Sequence, residues 1–583
     1  MSYKLDFMTL LCASLVAVLV APFVIGGLRR VPGGPGFFDG FVVISIGGLV
    51  LLHILPHALL EGGALAAGGV FLGVLLPLLT EELWDRGAGR RGRNLTLLAG
   101  LLGLALHALF DGVALTAGGH EHAHAHEQLL ALAVVLHRLP VGIAIWWVVT
   151  PIFGRRVGAA ALFVIVGATV AGYFGAGAIR PTLEGAGWAA LQAFVAGALL
   201  HVAVGHHEHR EPGGSKGRLA SVVGGAVASV GLWALSTAHP VHQVAGALDA
   251  AASLLTLGMQ CAAPVLLGLF VVGVVRILLP RGPVGGRTPW GQALCGAALG
   301  PLLCPCSCAV RPVHRSLAAE GPAASALLVS APEVGVATVL LSLRLLGVEL
   351  GLLHVLFAGL IGVGVGTCVG ARQRAARLPT AAPRPVEARV RDGLRHAFGE
   401  IADHTLPWIL FGLGIAALAE PLLDPAHLRS ITPGAQIALA VALGTPLHVC
   451  AAGAMPLCVV LVHKGLVPGA ASAFLVAGPA SMAGIGRRAR LVTRSAMAGG
   501  ALVSGYLVNL VLPSAPGSMV PLHQLAAASQ GHAWLVWPCL CALGLLMLRS
   551  LLRQGVPGFL GQVLSLHGRD HAAHRHQDAR RSE

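Results

Sequence analysis

The feature that most constrains this chain is a succession of apolar runs of about 18 residues or more, the length that a helix needs to cross a hydrocarbon core of about 30 Å. Shorter apolar pieces lie around 290–319 and 464–486. Only 11% of the residues are charged and the mean hydropathy is +0.78, which excludes an ordinary soluble domain. The sequence therefore predicts an all-α polytopic membrane protein. The clear runs lie at 8–26, 41–60, 64–84, 95–117, 129–150, 157–179, 187–206, 219–237, 250–279, 323–346, 349–371, 400–422, 433–460, 496–513 and 532–551.

The basic residues fall in short loops between these runs, although the formal net charge is +14. In the first half they concentrate in alternate loops, at 29–30, 86–93, 155–156 and 210–218. Lys and Arg are enriched in cytoplasmic loops, so this pattern predicts a multi-pass protein of a bacterial inner membrane with its N-terminus outside. No nucleic-acid partner is expected. A cleaved signal peptide over residues 1–24 is the alternative for the first run.

The second half contains an internal repeat. The segments 323-AASALLVSAP-332 and 470-AASAFLVAGP-479 are identical at seven of ten positions. Upstream, Cys306, Pro312 and Gly321 recur 144 positions later as Cys450, Pro456 and Gly465. Secondary transporters use such duplicated segments, interrupted by Gly and Pro, to build a central site from broken helices. The predicted organisation is an eight-span unit at 1–240, permease repeat 1 at 241–372, an Arg-rich cytoplasmic linker at 373–399, permease repeat 2 at 400–551 and a His-rich cytoplasmic tail at 552–583.

Three thiols cluster in 301-PLLCPCSCAVRP-312: Cys304, Cys306 and Cys308. A residue before proline avoids the helical region, which predicts a break in the chain at Cys304. Non-helical backbone at membrane depth has to be buried in protein or line a cavity. Thiolates are soft ligands that suit monovalent copper, zinc or trivalent arsenic. The alternative is that these cysteines are small apolar residues of a helix interface.

The second copy of the repeat adds sulfur donors to the same cavity. We expect Cys450, Met455 and Cys458 to bind substrate together with the first three thiols. Glu333 follows the repeated proline inside an apolar region, where an ionisable side chain is costly. It is predicted either to carry a coupling proton or to cap a helix.

These segments resemble a known family. The stretches "PLLCPCSCAVRP...EGPAASALLVSAPEVG" and "GTPLHVCAAGAMPL...KGLVPGAASAFLVAGPASM" resemble the bacterial permease family that includes organoarsenical efflux permeases and predicted copper and zinc efflux permeases. The likeness covers about 245–515. It implies export of a soft metal or metalloid across the inner membrane. It also places Cys306 and Cys308 at the family's C-S-C position, with Cys450 as the second-copy cysteine.

Histidines recur at helical spacing in the first unit. Residues four apart share a helix face, so His53 with His57, and His107 with Asp111, are predicted metal ligands, joined by His137. Imidazole and carboxylate suit zinc, iron or manganese. The alternative for each histidine is an ordinary interface residue.

The segments 53-HILPHAL-59, 107-HALFDG-112 and 137-HRLPVG-142 resemble the signatures of the ZIP family of divalent-metal transporters. The resemblance implies an eight-span unit with an outside N-terminus. Ala108 and Val141 replace the family's Asn and its metal-bridging Glu. One metal site of His107, Asp111 and His137 is therefore the most that the resemblance implies.

Together these patterns predict a permease that exports soft heavy-metal or metalloid ions, such as copper, zinc or arsenicals. No phosphate-binding G-x-x-x-x-G-K-[ST] loop occurs in the sequence, so transport would use an ion gradient. We expect no enzymatic activity and no resident cofactor, with metal ions, zinc among them, as cargo. The expected partners are the ion and the lipid bilayer, with a homodimer as a candidate assembly. A metal-dependent intramembrane hydrolase and a non-transporting metal sensor remain open.

Overall fold

The structure is a computed structural model that is 93% helical and has no strand among the residues it describes. This confirms the predicted all-α polytopic fold. The chain divides into two compact units, Met1–Val244 with Leu551–Leu564, and Ala245–Ser550. The described residues are 7–28, 30–84, 153–179, 185–205, 214–237, 242–278, 288–303, 334–370, 385–423, 425–445, 450–478, 487–512 and 533–564, parts of 101–116 and 135–150, and residues 326 and 330.

The first unit contains seven helices that can be given bounds within the described residues. A π-helical segment, Val50–Ile54, joins the second to the third. Gly63 (φ 50°, ψ −127°) interrupts the third helix, between the predicted runs 41–60 and 64–84. The helices are α1 Phe7–Leu28, α2 Gly34–Leu49, α3 Leu55–Trp84, α4 Leu104–Val113, α5 Arg155–Ile179, α6 Ala186–Gly205 and α7 Gly214–Thr237.

Glycines bring these helices into close contact. A Cβ on Gly40 of α2 would lie 1.8 Å from the Ser221 carbonyl oxygen of α7, and one on Gly73 of α3 would lie 2.0 Å from that of Phe194 in α6. Small residues allow such backbone approach at membrane helix interfaces. Packing of α2 on α7 and of α3 on α6 therefore organises this unit.

A C-terminal segment, Leu551–Leu564, also belongs to the first unit. Gly555 (φ 74°, ψ 166°) breaks the helix there. The next amide, Val556 N, donates to Ser221 Oγ of α7 at 3.1 Å. Residues 552–564 of the predicted His-rich tail are therefore helical and pack within this unit. Residues 565–583 lie outside the described residues.

The second unit contains both long and short helices. A π-helical segment, His396–Ile401, joins α12 to α13, so residues 386–399 of the predicted linker are helical. The helices are α8 His242–Leu278, α9 Pro289–Leu303, α10 Val336–Leu345, α11 Val348–Gly370, α12 Val386–Arg395, α13 Ala402–Leu422, α14 Pro425–Arg429, α15 Pro433–Gly444, α16 Ala451–His463, α17 Pro468–Ala477, α18 Arg487–Val511 and α19 Ala533–Leu564. Only the part of α19 up to Ser550 belongs to this unit.

Eight helices among the described residues are long and apolar enough to cross a membrane. By contrast, α15, α16 and α17 have 12, 13 and 10 residues. At about 1.5 Å per residue they reach roughly 15–20 Å, well short of a hydrocarbon core of about 30 Å. Within the second copy, the segment 433–477 is thus built from apolar half-length helices.

The duplication is visible in how α9 and α15 begin. Each starts with a Thr-Pro pair, Thr288–Pro289 and Thr432–Pro433, 144 positions apart. Proline at the first helical position fits there because its missing N–H needs no partner. In each copy the backbone N–H of the glutamine four residues after the threonine donates to the threonine carbonyl, at 3.0 and 2.9 Å. The two helices therefore begin in the same way, at positions 144 apart.

Candidate substrate-binding site

The described residues contain one copy of the predicted thiol site. Cys304, Cys306, Cys308 and Glu333 lie outside the described residues, as does His137. His53 lies in the π-helical segment and His57 lies in α3, but their side chains are not described. The geometry that follows therefore concerns the second-copy donors, Cys450, Met455 and Cys458, and the pair His107 and Asp111.

Cys450 is the N-cap residue that immediately precedes α16. Its backbone is extended (φ −64°, ψ 126°), and its carbonyl accepts hydrogen bonds from Gly453 N and Ala454 N, both at 2.9 Å. The side chain is completely buried. The first turn of a helix has unpaired N–H groups and the positive end of the helix dipole, which stabilise a thiolate placed there. Cys450 therefore occupies the position on α16 best suited to a charged sulfur.

Met455 and Cys458 lie further along α16 and are also completely buried. They are three residues apart, so their side chains are neighbours on the helix surface. Cys450 and Cys458, by contrast, are separated by about 12 Å of helical rise. A metal bonds thiolates at about 2.3 Å, so these two sulfurs cannot bind one ion together. The second copy thus presents two sulfur positions along α16, Cys450 at its start and the Met455–Cys458 pair.

The surroundings of α16 are protein rather than a surface open to lipid. Every residue of α16 except Leu457, Leu461 and His463 is buried. The helix packs against α13 of its own copy and α10 of the first copy. A Cβ on Gly412 of α13 would lie 1.7 Å from the Gly453 carbonyl oxygen. This close crossing holds the start of α16 against the middle of α13.

A tight turn joins α16 to α17 and makes the pair a helical hairpin. Gly465 has φ 111°, a conformation that favours glycine. Leu466 N donates to Leu461 O at 2.9 Å, the bond expected where a helix ends in a left-handed residue. Lys464, in the turn, lies 3.7 Å from Glu420 of α13. The hairpin is therefore tethered at its turn by an ion pair.

Gln436 fixes the far side of this turn. Its side chain is 3% exposed. Its Oε1 accepts from Val467 N at 2.7 Å, and its Nε2 donates to Leu428 O at 2.7 Å and to Ile431 O at 3.1 Å. Sequence reasoning missed this residue. The available signal was the Thr-Pro-x-x-Gln pattern repeated at 288–292 and 432–436.

In the first unit the structure brings two predicted metal ligands together. His107 Nε2 lies 3.2 Å from Asp111 Oδ2 on α4, as the four-residue spacing predicts. Arg138 NH2 lies 3.0 Å from the same carboxylate oxygen. Arg138 was not among the predicted site residues, although an arginine inside an apolar run is itself a signal of function. The Arg138 guanidinium therefore pairs with the Asp111 carboxylate, which was predicted to bind a metal ion.

A metal centre is not assembled by the described residues alone. No group of three or more His, Cys, Asp or Glu side chains able to hold an ion occurs among them. The thiol assignments thus remain predictions that require the first-copy cysteines. His107 and Asp111 likewise remain predicted ligands, and Arg138 lies beside the same carboxylate.

Part of the second unit is similar to a known family. Residues 248–483 match the model of the family ArsP_1, described as a predicted permease. No curated protein and no solved structure matches the chain. The match does not extend to the first unit, so the resemblance to ZIP transporters has no support from it. The chain is a multi-pass, all-α membrane protein, and the part of its second unit that holds the α16–α17 hairpin is similar to the ArsP_1 predicted permeases.

Proposed function

We propose that this protein is a secondary permease of the bacterial inner membrane that exports soft heavy-metal or metalloid ions. The observation that supports the proposal most is the place of Cys450. It is a buried thiol at the start of a half-length helix, inside the segment that matches the permease family. Broken helices that point their ends at the middle of the bilayer are how secondary transporters bind their cargo.

The two sulfur positions on α16 suggest a route rather than a single closed site. Conduction requires binding that is favourable enough for entry and weak enough for release. Cys450 would hold the ion together with Cys306 and Cys308 of the first copy, and the Met455–Cys458 pair would offer the next soft ligands. Thiolate and thioether sulfur both favour monovalent copper and similar soft ions.

The first experiment measures metal accumulation in cells of a metal-sensitive bacterial host. Copper, zinc and a trivalent arsenical are supplied separately, and intracellular metal is measured by mass spectrometry. Cells with the wild-type protein should accumulate at least several-fold less of one of these ions than cells with an empty vector. Cys450→Ser should restore accumulation to the empty-vector level, because serine is a poor ligand for soft ions.

Cys368→Ser is the matched control. Cys368 is an exposed cysteine of α11 in the same unit, and its substitution should leave accumulation at the wild-type level. Wild-type efflux by Cys450→Ser, with equal amounts of protein in the membrane, would contradict a role for sulfur. Uptake into inverted vesicles tests direction, since an exporter fills them. Hydrolysis without flux would support the hydrolase instead.

A further inference from the structure

Arg138 of the first unit is the most deeply buried charged residue that the structure describes. Its side chain has no solvent exposure, in an apolar run where a lone charge is costly. Its NH2 group lies 3.0 Å from Asp111 Oδ2 and donates to the Ala108 carbonyl at 3.2 Å. Both partners belong to α4. The guanidinium is thus held against one turn of a neighbouring helix.

His107 completes the group on the same turn. Its Nε2 lies 3.2 Å from Asp111 Oδ2, the oxygen that Arg138 also contacts. A divalent ion would need both that oxygen and the imidazole nitrogen. The ion would also lie beside the positive Arg138 guanidinium, which contacts the same Asp111 carboxylate. The Arg138 guanidinium thus supplies a counter-charge to Asp111 without any metal.

Packing keeps α4 in this position. A Cβ on Gly112 would lie 2.1 Å from the Thr169 carbonyl oxygen of α5, and one on Gly172 would lie 1.8 Å from that of Leu109. The backbones of α4 and α5 are therefore in close contact at two points near Asp111. A shift of α4 that opened space beside Asp111 would have to separate these helices.

We propose that Arg138 replaces a bound cation in the first unit. The tethered guanidinium occupies the carboxylate that would otherwise coordinate a divalent ion, so His107 and Asp111 bind no metal in the wild-type protein. This unit then has no metal at this position, whatever the second unit transports. Removal of the guanidinium should uncover a site for one divalent ion with nitrogen and oxygen ligands.

Cobalt(II) binding to the purified full-length protein tests the proposal. Thiolate–cobalt charge-transfer absorption separates binding at cysteines from binding at nitrogen and oxygen ligands. The single variant Asp111→Asn should bind as many cobalt ions as the wild-type protein. Arg138→Met should gain one ion per chain without thiolate absorption, and Arg138→Met/Asp111→Asn should lose it. An ion in the wild-type protein that depends on Asp111 would overturn the proposal, as would a folded Arg138→Met protein that gains none.

A thermal-unfolding cycle on the same variants covers the case in which Arg138→Met does not fold. That variant leaves the carboxylate buried without its counter-charge. The double variant Arg138→Met/Asp111→Asn removes both charges and should recover the folded fraction or raise Tm above that of Arg138→Met. A double variant no more stable than Arg138→Met would show that the two side chains are not coupled, and the proposal would be wrong.

Discussion

At the scale of single residues, this membrane protein depends on a few buried polar side chains whose partners come from other segments of the chain. A buried polar group without a hydrogen bond is expensive. Gln436 and Arg138 are almost fully buried, and each contacts residues outside its own helix. Such side chains tie neighbouring segments together, because moving one segment away would leave a buried polar group without its partner.

Gln436→Leu should destabilise the second unit. It leaves Val467 N–H and the carbonyls of Leu428 and Ile431 without the partner they have here. Each unpaired buried group costs about 1–3 kcal/mol, and partial relaxation brings the expected total to about 2–4 kcal/mol. Thermal unfolding in detergent measures it. Leu439→Ala, at a position of the same helix that is 48% exposed, should change Tm far less, and equal losses would contradict this role.

The same scale shows what sequence can and cannot predict about a site. The contact between His107 and Asp111 was predictable, because spacing along one helix fixes which side chains share a face. Arg138 was not, because its contact with Asp111 depends on how two helices are rotated against each other. Its presence in an apolar run was visible from the start. That Arg138 contacts Asp111 could not be read from the sequence.

At the scale of helices, hydropathy predicted where apolar segments lie better than where they break. The run 433–460 reads as one span, whereas the structure ends α15 at Gly444 and starts α16 at Ala451. The shorter piece at 464–486 contains α17, whose last residue is Ala477. A helix break does not change the hydropathy of its residues, so the mean hydropathy of the run does not reveal where the helix breaks. Proline positions and the repeat predicted broken helices without giving their bounds.

The crossing of α13 and α16 gives a prediction with a control on the same helix. Gly412→Ala places a Cβ 1.7 Å from the Gly453 carbonyl oxygen, so the helices must separate. Overpacking costs about 1–3 kcal/mol, and we expect both a lower Tm and loss of the efflux that we propose for the wild-type protein.

Gly414→Ala is the control for this crossing. A Cβ at Gly414 would meet nothing within 4 Å, and alanine is favoured over glycine in a helix by about 0.5–1 kcal/mol. This variant should keep its efflux and gain slightly in Tm. If both variants behave alike, the close crossing does not hold α16 in place.

At the scale of the whole molecule, charge distribution and helix order predict which side of the membrane each loop faces. Exposed basic residues lie at Arg30 before α2, at Arg155 and Arg156 at the start of α5, and at Lys216 in α7. No basic residue lies near the break at Gly63, and the loop that ends at Gly185 has one, Arg180, together with Glu184. Since positive loops stay in the cytoplasm, the first unit should have Arg30, Gly154 and Ser215 inside, with Gly63 and Gly185 outside.

Reporter fusions test this orientation. Alkaline phosphatase becomes active only after export, and green fluorescent protein fluoresces only when it folds in the cytoplasm. We expect phosphatase activity after Gly63 and Gly185, and fluorescence after Arg30, Gly154 and Ser215. Replacing Arg155 and Arg156 with alanine weakens the charge that holds that loop inside. Phosphatase activity after Gly154 should then rise, while the fusion after Gly63, which precedes the change, stays as it was. Uniform reversal of all five fusions would place the N-terminus inside and contradict the orientation.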